Sequence, residues 1–457
     1  MPLLEQELGE NLALSIVQKM VEHGGLLLTG PAGVGKTWLI HEILRLLKET
    51  SPDQKQIIAA LRHCAAMLVG GKTIQHYLCK YRKNGGSPKP GTYVVLDECS
   101  EIQMHTWSLL AQWKLMGVRF IILGDFDGQL PPIFDKWANA MERLDIRASQ
   151  FLYDLVGGLH IKLTTYRRGT DPELFRRYVM LYRYADLKPA RARGRFNEDY
   201  YITQQIVEKT RETYPMHDGE VDIHFCRTHK QRMEINDLVN KIEASKRDDV
   251  LLLPCRGCIQ GAQMQPQTMC VWVGMELLCY TRKYKPNFPV NGGVYVVRSF
   301  DSEKVVVRLH EDYRRYLENK EAAKELEVDE EAEEGSDAES DPEDMGADEE
   351  DDEECAPPPA KKARKEPREP GVYSLTHRQA MMYLRPQHAL VYASIQGRTL
   401  RDKHIALLDW QSHLFTPRHL IVAISRATHG KFVHVLNHDE EQGLLRDYKK
   451  RVREIEE

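Results

Sequence analysis

The sequence predicts an α/β protein built around a phosphate-binding parallel sheet, and three observations predict it. Between Gly24 and Phe134, short apolar runs alternate with amphipathic stretches, the pattern of strand–helix–strand units. Within each run the apolar residues are consecutive rather than alternate, as in strands covered on both faces. The first run ends in GPAGVGKT, Gly30–Thr37, which leads directly into WLIHEILRLLKE, an amphipathic helix.

Taken in order, GLLLTG is the first strand, QIIAAL the second, TYVVLDE the third and RFIILGD the fourth. An Arg- and Tyr-rich helical stretch from about Asp171 to Thr213 follows. Strands resume at VDIHFC, and the remaining parallel-sheet signals, HIALLDW and KFVHVLN, lie beyond residue 400. Between them MCVWVGMELLCYTRKY and NGGVYVVRSFDSEKVVVRLH alternate in the β manner around an Asn-Gly turn, and predict a small antiparallel insert. From 312 to 370 an acidic run gives way to APPPAKKARKEPREP; few apolar residues and dense charge predict a disordered loop. The expected divisions are 1–165, 166–255, 256–311, 312–370 and 371–457.

With 457 residues the chain is too long for one ordinary core, and 42% hydrophobic residues suffice to build several. No apolar run approaches the ~18 residues of a membrane span. The opening MPLLEQELGENLALS lacks a basic stretch followed by an apolar core, so no secretory signal is expected. The nine cysteines are accordingly expected to be thiols. The net charge of −5 conceals an asymmetry. Residues 327–354 hold 18 acids and no base, and without them the chain carries +13. A body that basic suits a polyanion.

Gly30, Pro31, Ala32, Gly33, Val34, Gly35, Lys36 and Thr37 form the G-x-x-x-x-G-K-T loop in its strand–loop–helix context. Its amides and the following helix N-terminus suit phosphates; Lys36 is expected at the β/γ-phosphates and Thr37 on Mg²⁺. In VVLDECS, Asp97 at a strand end is placed for the Mg²⁺ shell and Glu98 to polarise a water. Together they predict nucleoside triphosphate hydrolysis with Mg²⁺. FIILGDFDGQLPPIFDKW, 120–137, then delivers Asp125 and Gln129 to the tip of the fourth strand, where open α/β sheets bind ligands.

GDFDGQLPPI resembles motif III of superfamily-one helicases, and further motifs follow in that family's order. IIAALRHCAAMLVGGKTIQHYL resembles the Ia region of the PIF- and RecD-type helicases, which implies that Thr73 and His76 lie near a single strand. KLTTYRRGTDPELFRRY resembles motif IV, with Arg167 facing the nucleotide. HFCRTHKQRMEIND resembles the opening of a second RecA-like domain, and VGMELLCYTRKYKPNFPVNGGVYVV the segment leading into an inserted barrel. YASIQGRTL resembles motif V at Gln396, Gly397 and Thr399; HLIVAISRAT resembles motif VI at Ser425 and Arg426.

The resemblance implies two RecA-like domains that sandwich ATP, with Glu98, Gln129, Arg167 and Arg426 as the catalytic set and Gln396 and Gly397 at the nucleotide. It implies a monomeric ATP-dependent DNA helicase moving 5′→3′ on single-stranded and forked DNA, in replication, repair or recombination. An RNA helicase or an ATP-controlled clamp that does not unwind are the alternatives. Two departures stand out. Ala393 and Ser394 occupy the motif V positions where the family commonly has His-Lys, and 80–91 is short for a separation pin.

Cys255 and Cys258, with Cys270 and Cys279, could supply a zinc site, although the latter two fall on strand-like segments and read better as small apolar fillers. PPPAKKARKEP resembles a nuclear-import signal at Lys361, Lys362, Arg364 and Lys365, implying an import receptor as partner and a nuclear location; a nonspecific nucleic-acid patch or a solvated tail, with a cytoplasmic location, is the alternative. Ser336 and Ser340 stand amid acids, as sites for an acid-directed kinase do.

Overall fold

The computed structural model describes residues 2–9, 11–83, 86–130, 146, 149–188, 197–216, 221–255, 265–281, 288–313 and 369–457. Pro131, Pro132, Cys258, Ser336, Ser340 and the basic run Lys361–Lys365 lie outside them.

The first sheet has seven strands rather than four. Besides β2 (Gly25–Thr29), β3 (Gln56–Ala60), β5 (Tyr93–Asp97) and β6 (Arg119–Gly124), it takes in β1 (Leu3–Leu4), β4 (Lys72–Thr73) and β7 (His160–Lys162). The order is β1-β7-β2-β6-β5-β3-β4, every pair parallel. The added strands are two or three residues long, too short to carry a periodicity, and their position next to longer strands is what makes them strands. The central strands are buried along nearly their whole length, from Leu26–Leu28 to Phe120–Leu123. Helices Leu12–His23 and Lys36–Thr50 pack on one face, through Ile16, Met20, Leu39 and Ile43; Met104–Leu115 covers the other, through Trp107 and Leu110. This two-sided cover explains the uninterrupted apolar runs.

The second parallel sheet, β16-β8-β17-β18, comprises β8 (Ile223–Cys226), β16 (Ala389–Val391), β17 (Ile405–Leu407) and β18 (Val433–Val435). Between β8 and β16 in sequence stand a two-stranded ribbon, β9 (Leu251–Leu253) with β10 (Met269–Val271), and a five-stranded antiparallel sheet. That sheet runs β14-β13-β12-β11-β15, from β11 (Glu276–Cys279), β12 (Val294–Phe300) and β13 (Lys304–Leu309) to β14 (Val372–Thr376) and β15 (Leu384–Pro386).

Here the expected divisions need correction. The insert does not end at 311, because Tyr313 is buried in the same core as its strands and the chain returns after 369 to add β14 and β15. Val372–Pro386 belongs to the insert, not to the second parallel domain. In YSLT the alternation is that of a half-buried antiparallel strand, but its partner Lys304–Leu309 lies more than sixty residues earlier, beyond any local signal. Among the described residues no helix is long and apolar enough to cross a membrane.

Candidate active site

The phosphate loop sits where β2 ends and the helix Lys36–Thr50 begins, at the carboxyl edge of the sheet. Gly30 has φ 150°, and a Cβ there would lie 2.4 Å from the Leu163 carbonyl oxygen; only glycine lets the loop pass so close to the segment after β7. Lys36 Nζ donates to the carbonyls of Gly30 and Pro31 at 2.8 and 3.0 Å. Burial lowers the Lys36 pKa, against the opposing pull of Asp125, Glu98 and Asp97.

Asp97 and Glu98 end β5. Thr37 Oγ1 donates to Asp97 Oδ2 at 3.4 Å, and Asp97 Oδ1 accepts from the Glu98 amide at 2.9 Å. Burial, and then the charge of Glu98 beside it, raise the Asp97 pKa. A buried carboxyl whose charge is penalised, a second carboxyl next to it and a hydroxyl from the phosphate loop make an all-oxygen set that suits Mg²⁺. Glu98 has φ 55° and ψ 44°, a left-handed conformation that a side-chain-bearing residue adopts only when its surroundings impose it.

Gln129, only 3% exposed, joins this group. Its Nε2 donates to Glu98 Oε2, and its Oε1 accepts from Ser100 Oγ, which fixes the orientation of the amide. Asp125 accepts from the Gly128 amide at 2.9 Å and from Tyr182 Oη at 2.6 Å. Tyr178, one helical turn before Tyr182, donates its hydroxyl to the Ala32 carbonyl of the phosphate loop. Two tyrosines of the interdomain connection thus hold the phosphate loop and the motif III turn. Tyr178 closes the segment that resembles motif IV and Tyr182 lies beyond it, both within the Arg- and Tyr-rich stretch from about Asp171 to Thr213, which gave neither a role.

The second domain closes over this face. Gly397, with φ 80°, lies so near that a Cβ would stand 3.8 Å from Glu98 Oε1 and 3.7 Å from Ala65 Cβ. Gln396 beside it is 3% exposed, and among the described residues neither of its amide atoms has a partner. A buried amide with both ends unsatisfied is costly, and one at a nucleotide cleft is matched by a polar ligand. Together with the loop geometry and the oxygen set, it shows that the residues present fit Mg²⁺ and a nucleoside triphosphate.

The arginines are distributed differently from the expectation. Arg426 is 1% exposed; burial lowers its pKa to about 10, Arg168 adding to that and Glu98 opposing it. Its donors go to Val422 O at 2.9 Å, Arg398 O at 3.0 Å and Ser425 Oγ at 2.8 Å, all within its own domain. Arg167 lies over the phosphate loop: its amide donates to Gly33 O at 2.8 Å, and its Cδ would be 3.1 Å from a Cβ on Gly35. Its guanidinium, however, is paired with Glu5, which also accepts the Thr164 and Thr165 amides at 3.2 and 3.0 Å. The next residue, Arg168, is the one that crosses the cleft, donating to Ser425 O. The Arg-Arg doublet in YRRG was visible in the sequence, but not which member would cross.

Thr73, 7% exposed, accepts the His76 amide at 3.3 Å and starts the helix Ile74–Lys83. His76 and Lys80 are exposed four residues apart on one face of this helix, and Lys72, exposed in β4, precedes it. Burial, with Lys72 and Lys80, depresses the His76 pKa. Thr399 is half-buried near the cleft. At motif V, the Ala393 carbonyl accepts from Arg62, whose Nε pairs with Glu101 at 2.5 Å, so a first-domain arginine reaches the stretch where the His-Lys pair is missing. Among the described residues no group of three or more His, Cys, Asp or Glu side chains could hold a metal ion; Cys279 is buried and donates to Pro289 O at 3.6 Å.

Comparison with known proteins adds independent support. Residues 13–135 match the AAA domain family. An uncharacterized protein of Methanocaldococcus jannaschii is 28% identical over 155 residues, which is 28% of this chain and 13% of that protein; the match thus spans about an eighth of its length. Three solved structures are similar over nearly the entire chain. Pif1 helicase from Candida albicans is 16% identical, with 97% of this chain and 99% of that one covered, at TM-score 0.54. Bacteroides Pif1 bound to single-stranded DNA is 17% identical, covers 97% of each chain and has TM-score 0.53. The Bacteroides protein with ADP-AlF3 and single-stranded DNA is 17% identical, covers 96% and 97%, and has TM-score 0.52. With two parallel sheets facing one phosphate loop and an antiparallel insert in the second, this chain has the fold of these Pif1 structures.

Proposed function

We propose that this protein is an ATP-dependent DNA helicase that moves 5′→3′ along single-stranded DNA and separates duplex ahead of it. One observation carries the reading: the phosphate loop faces a seam between two separate parallel sheets, with Glu98 and Gln129 on one side and Gly397 and Gln396 on the other. Chemistry at such a seam changes how the two bodies hold each other, and a body that grips a strand then moves with it. Similarity to Pif1 proteins solved with single-stranded DNA and with a nucleotide analogue supports the DNA assignment.

Bound Mg²⁺ and ATP supply a polarised phosphoryl group. Around it Lys36 and the loop amides bind the phosphates, and Thr37 Oγ1 and Asp97 hold the cation. Glu98 accepts a proton from the attacking water at its carboxylate, while the Gln129 amide, oriented by Ser100, fixes the position of that carboxylate. Arg426, always charged and desolvated, stabilises negative charge that develops across the seam. Lys72, His76 and Lys80 contact the strand's phosphates.

A second reading, an ATP-controlled clamp without unwinding, is favoured by the altered motif V, where Arg62 takes the Ala393 carbonyl. Unwinding of matched duplexes with 5′ or 3′ tails, in DNA and in RNA, tests both. Displacement with ATP from 5′-tailed DNA alone supports the helicase. ATP-dependent binding without displacement supports the clamp; preference for RNA or for 3′ tails refutes the proposal.

A further inference from the structure

The helix Pro417–Ile424 of the second domain has cross-cleft attachments at both ends. Beyond its C-terminal end, the Ser425 carbonyl accepts from Arg168 of the first domain. At its N-terminal end Arg418, 9% exposed, spreads its guanidinium over two other segments. Nη1 donates to Gln129 O at 2.6 Å and Phe126 O at 3.3 Å in the motif III turn; Nε donates to Ala185 O at 2.9 Å, and Nη2 to Asp186 Oδ1 at 2.8 Å in the interdomain connection. Thus the residue whose side chain touches Glu98 is held through its backbone by the second domain.

We propose that Arg418 is a positioning residue that couples movement of the second domain to the Gln129–Glu98 pair. The proposal rests on the motor reading and adds the part through which nucleic acid controls turnover. Three physical points support it. Eight helical residues span about 12 Å as a stiff rod, so displacement near Ser425 and Arg426 is carried to Arg418 rather than absorbed. Among the described residues the acid paired with Arg418 is Asp186, whose side chain is 69% exposed, so the buried part of the guanidinium is held chiefly by main-chain carbonyls of the motif III turn and the connection. Finally, the acceptors point to the guanidinium from separate chain segments, a geometry that a planar fork meets and the compact ammonium of lysine does not.

The test uses the full chain and ATPase rates with and without poly-dT, for wild type, Arg418→Ala, Arg418→Lys, Gln129→Ala and the double variant Arg418→Ala/Gln129→Ala. Coupling between sites is commonly worth about 5- to 150-fold, and about tenfold loss of poly-dT stimulation is expected for Arg418→Ala. Affinity for a fluorescent ATP analogue should stay within about twofold, and the poly-dT concentration for half-stimulation should not move. Arg418→Lys should recover only part of the stimulation. Because Arg418 acts through Gln129, the double variant should be no worse than the worse single one. Should Arg418→Ala melt below the assay temperature, Arg418→Lys and its double with Gln129→Ala decide. Full stimulation in a folded Arg418 variant, loss that tracks ATP affinity, or multiplied losses in the double variant overturn the proposal. A wild type that hydrolyses ATP with no response to poly-dT or poly-U overturns the motor reading itself, and the coupling with it.

Discussion

Tyr182→Phe removes one hydroxyl and little else, and its consequence can be worked out from the structure. The hydroxyl donates to Asp125 Oδ2 at 2.6 Å, and Asp125 is 3% exposed, with the Gly128 amide at 2.9 Å on its other oxygen. The ring packs directly over Gly128, so phenylalanine keeps the shape. A hydrogen bond to a charged, buried acceptor is worth about 1.5–3 kcal/mol, because the carboxylate otherwise stays dry and half-satisfied. The expected loss is about 2 kcal/mol, a shift of about 4–8 °C in melting temperature for a domain of this size. The pH dependence has a definite sign. Burial already raises the Asp125 pKa, with Lys36, Tyr182 and the Gly128 amide opposing it, so the folded chain holds this proton more tightly than the unfolded one. Stability from this group is full below the unfolded value of 3.8 and falls as pH rises through the folded value. Removing the hydroxyl widens that window, so the deficit of Tyr182→Phe grows with pH across it. Urea unfolding at several pH values measures this, and an Asp125→Asn background should roughly halve the deficit. A loss under about 0.5 kcal/mol, or an undiminished loss in the Asp125→Asn background, would refute the assignment of this bond.

Further outcomes are expected. Lys36→Ala should lower ATP turnover at least about 100-fold with an unchanged circular dichroism spectrum, since it removes a charge aimed at the phosphates; near-normal turnover would remove the phosphate loop from the mechanism. Glu98→Gln should cut turnover by about 10²–10⁴ while single-strand binding, read by fluorescence anisotropy, persists. Gln129→Ala should leave ATP binding intact and uncouple DNA from turnover; unaltered DNA-stimulated ATPase would show that the Gln129–Glu98 contact is idle. Although burial pushes the Glu5 carboxyl up, Arg167 and the Thr164 and Thr165 amides bring it below its ordinary 4.5. Its contribution to stability is therefore complete above about pH 4.5 and disappears as pH falls through the lowered folded value. Melting curves of wild type and Glu5→Gln should accordingly converge in acid, and parallel curves down to about pH 3 would contradict the Glu5 contacts with Arg167, Thr164 and Thr165.

The sequence by itself determined the α/β class, the four long strands of the first sheet, the phosphate loop, the Asp97–Glu98 pair and the tip that carries Gln129. These are local: an apolar run, a glycine spacing and a strand end suffice, because each feature is made by residues a few positions apart. Tertiary structure alone decided what those residues touch. Gln129 meets Glu98 and Ser100 across two neighbouring strands. Arg167, expected at the nucleotide, turns its charge to Glu5, and Arg168 crosses to the second domain instead. Tyr182 and Arg418 had no motif to announce them, and motif IV gave Tyr178 no role, since their partners are backbone carbonyls and a buried acid contributed by distant segments. The insert likewise takes its last two strands from beyond residue 369. Hydrogen-bond partners far apart in the chain leave no periodic trace, because only the packing of the two sheets brings them within about 3 Å of each other.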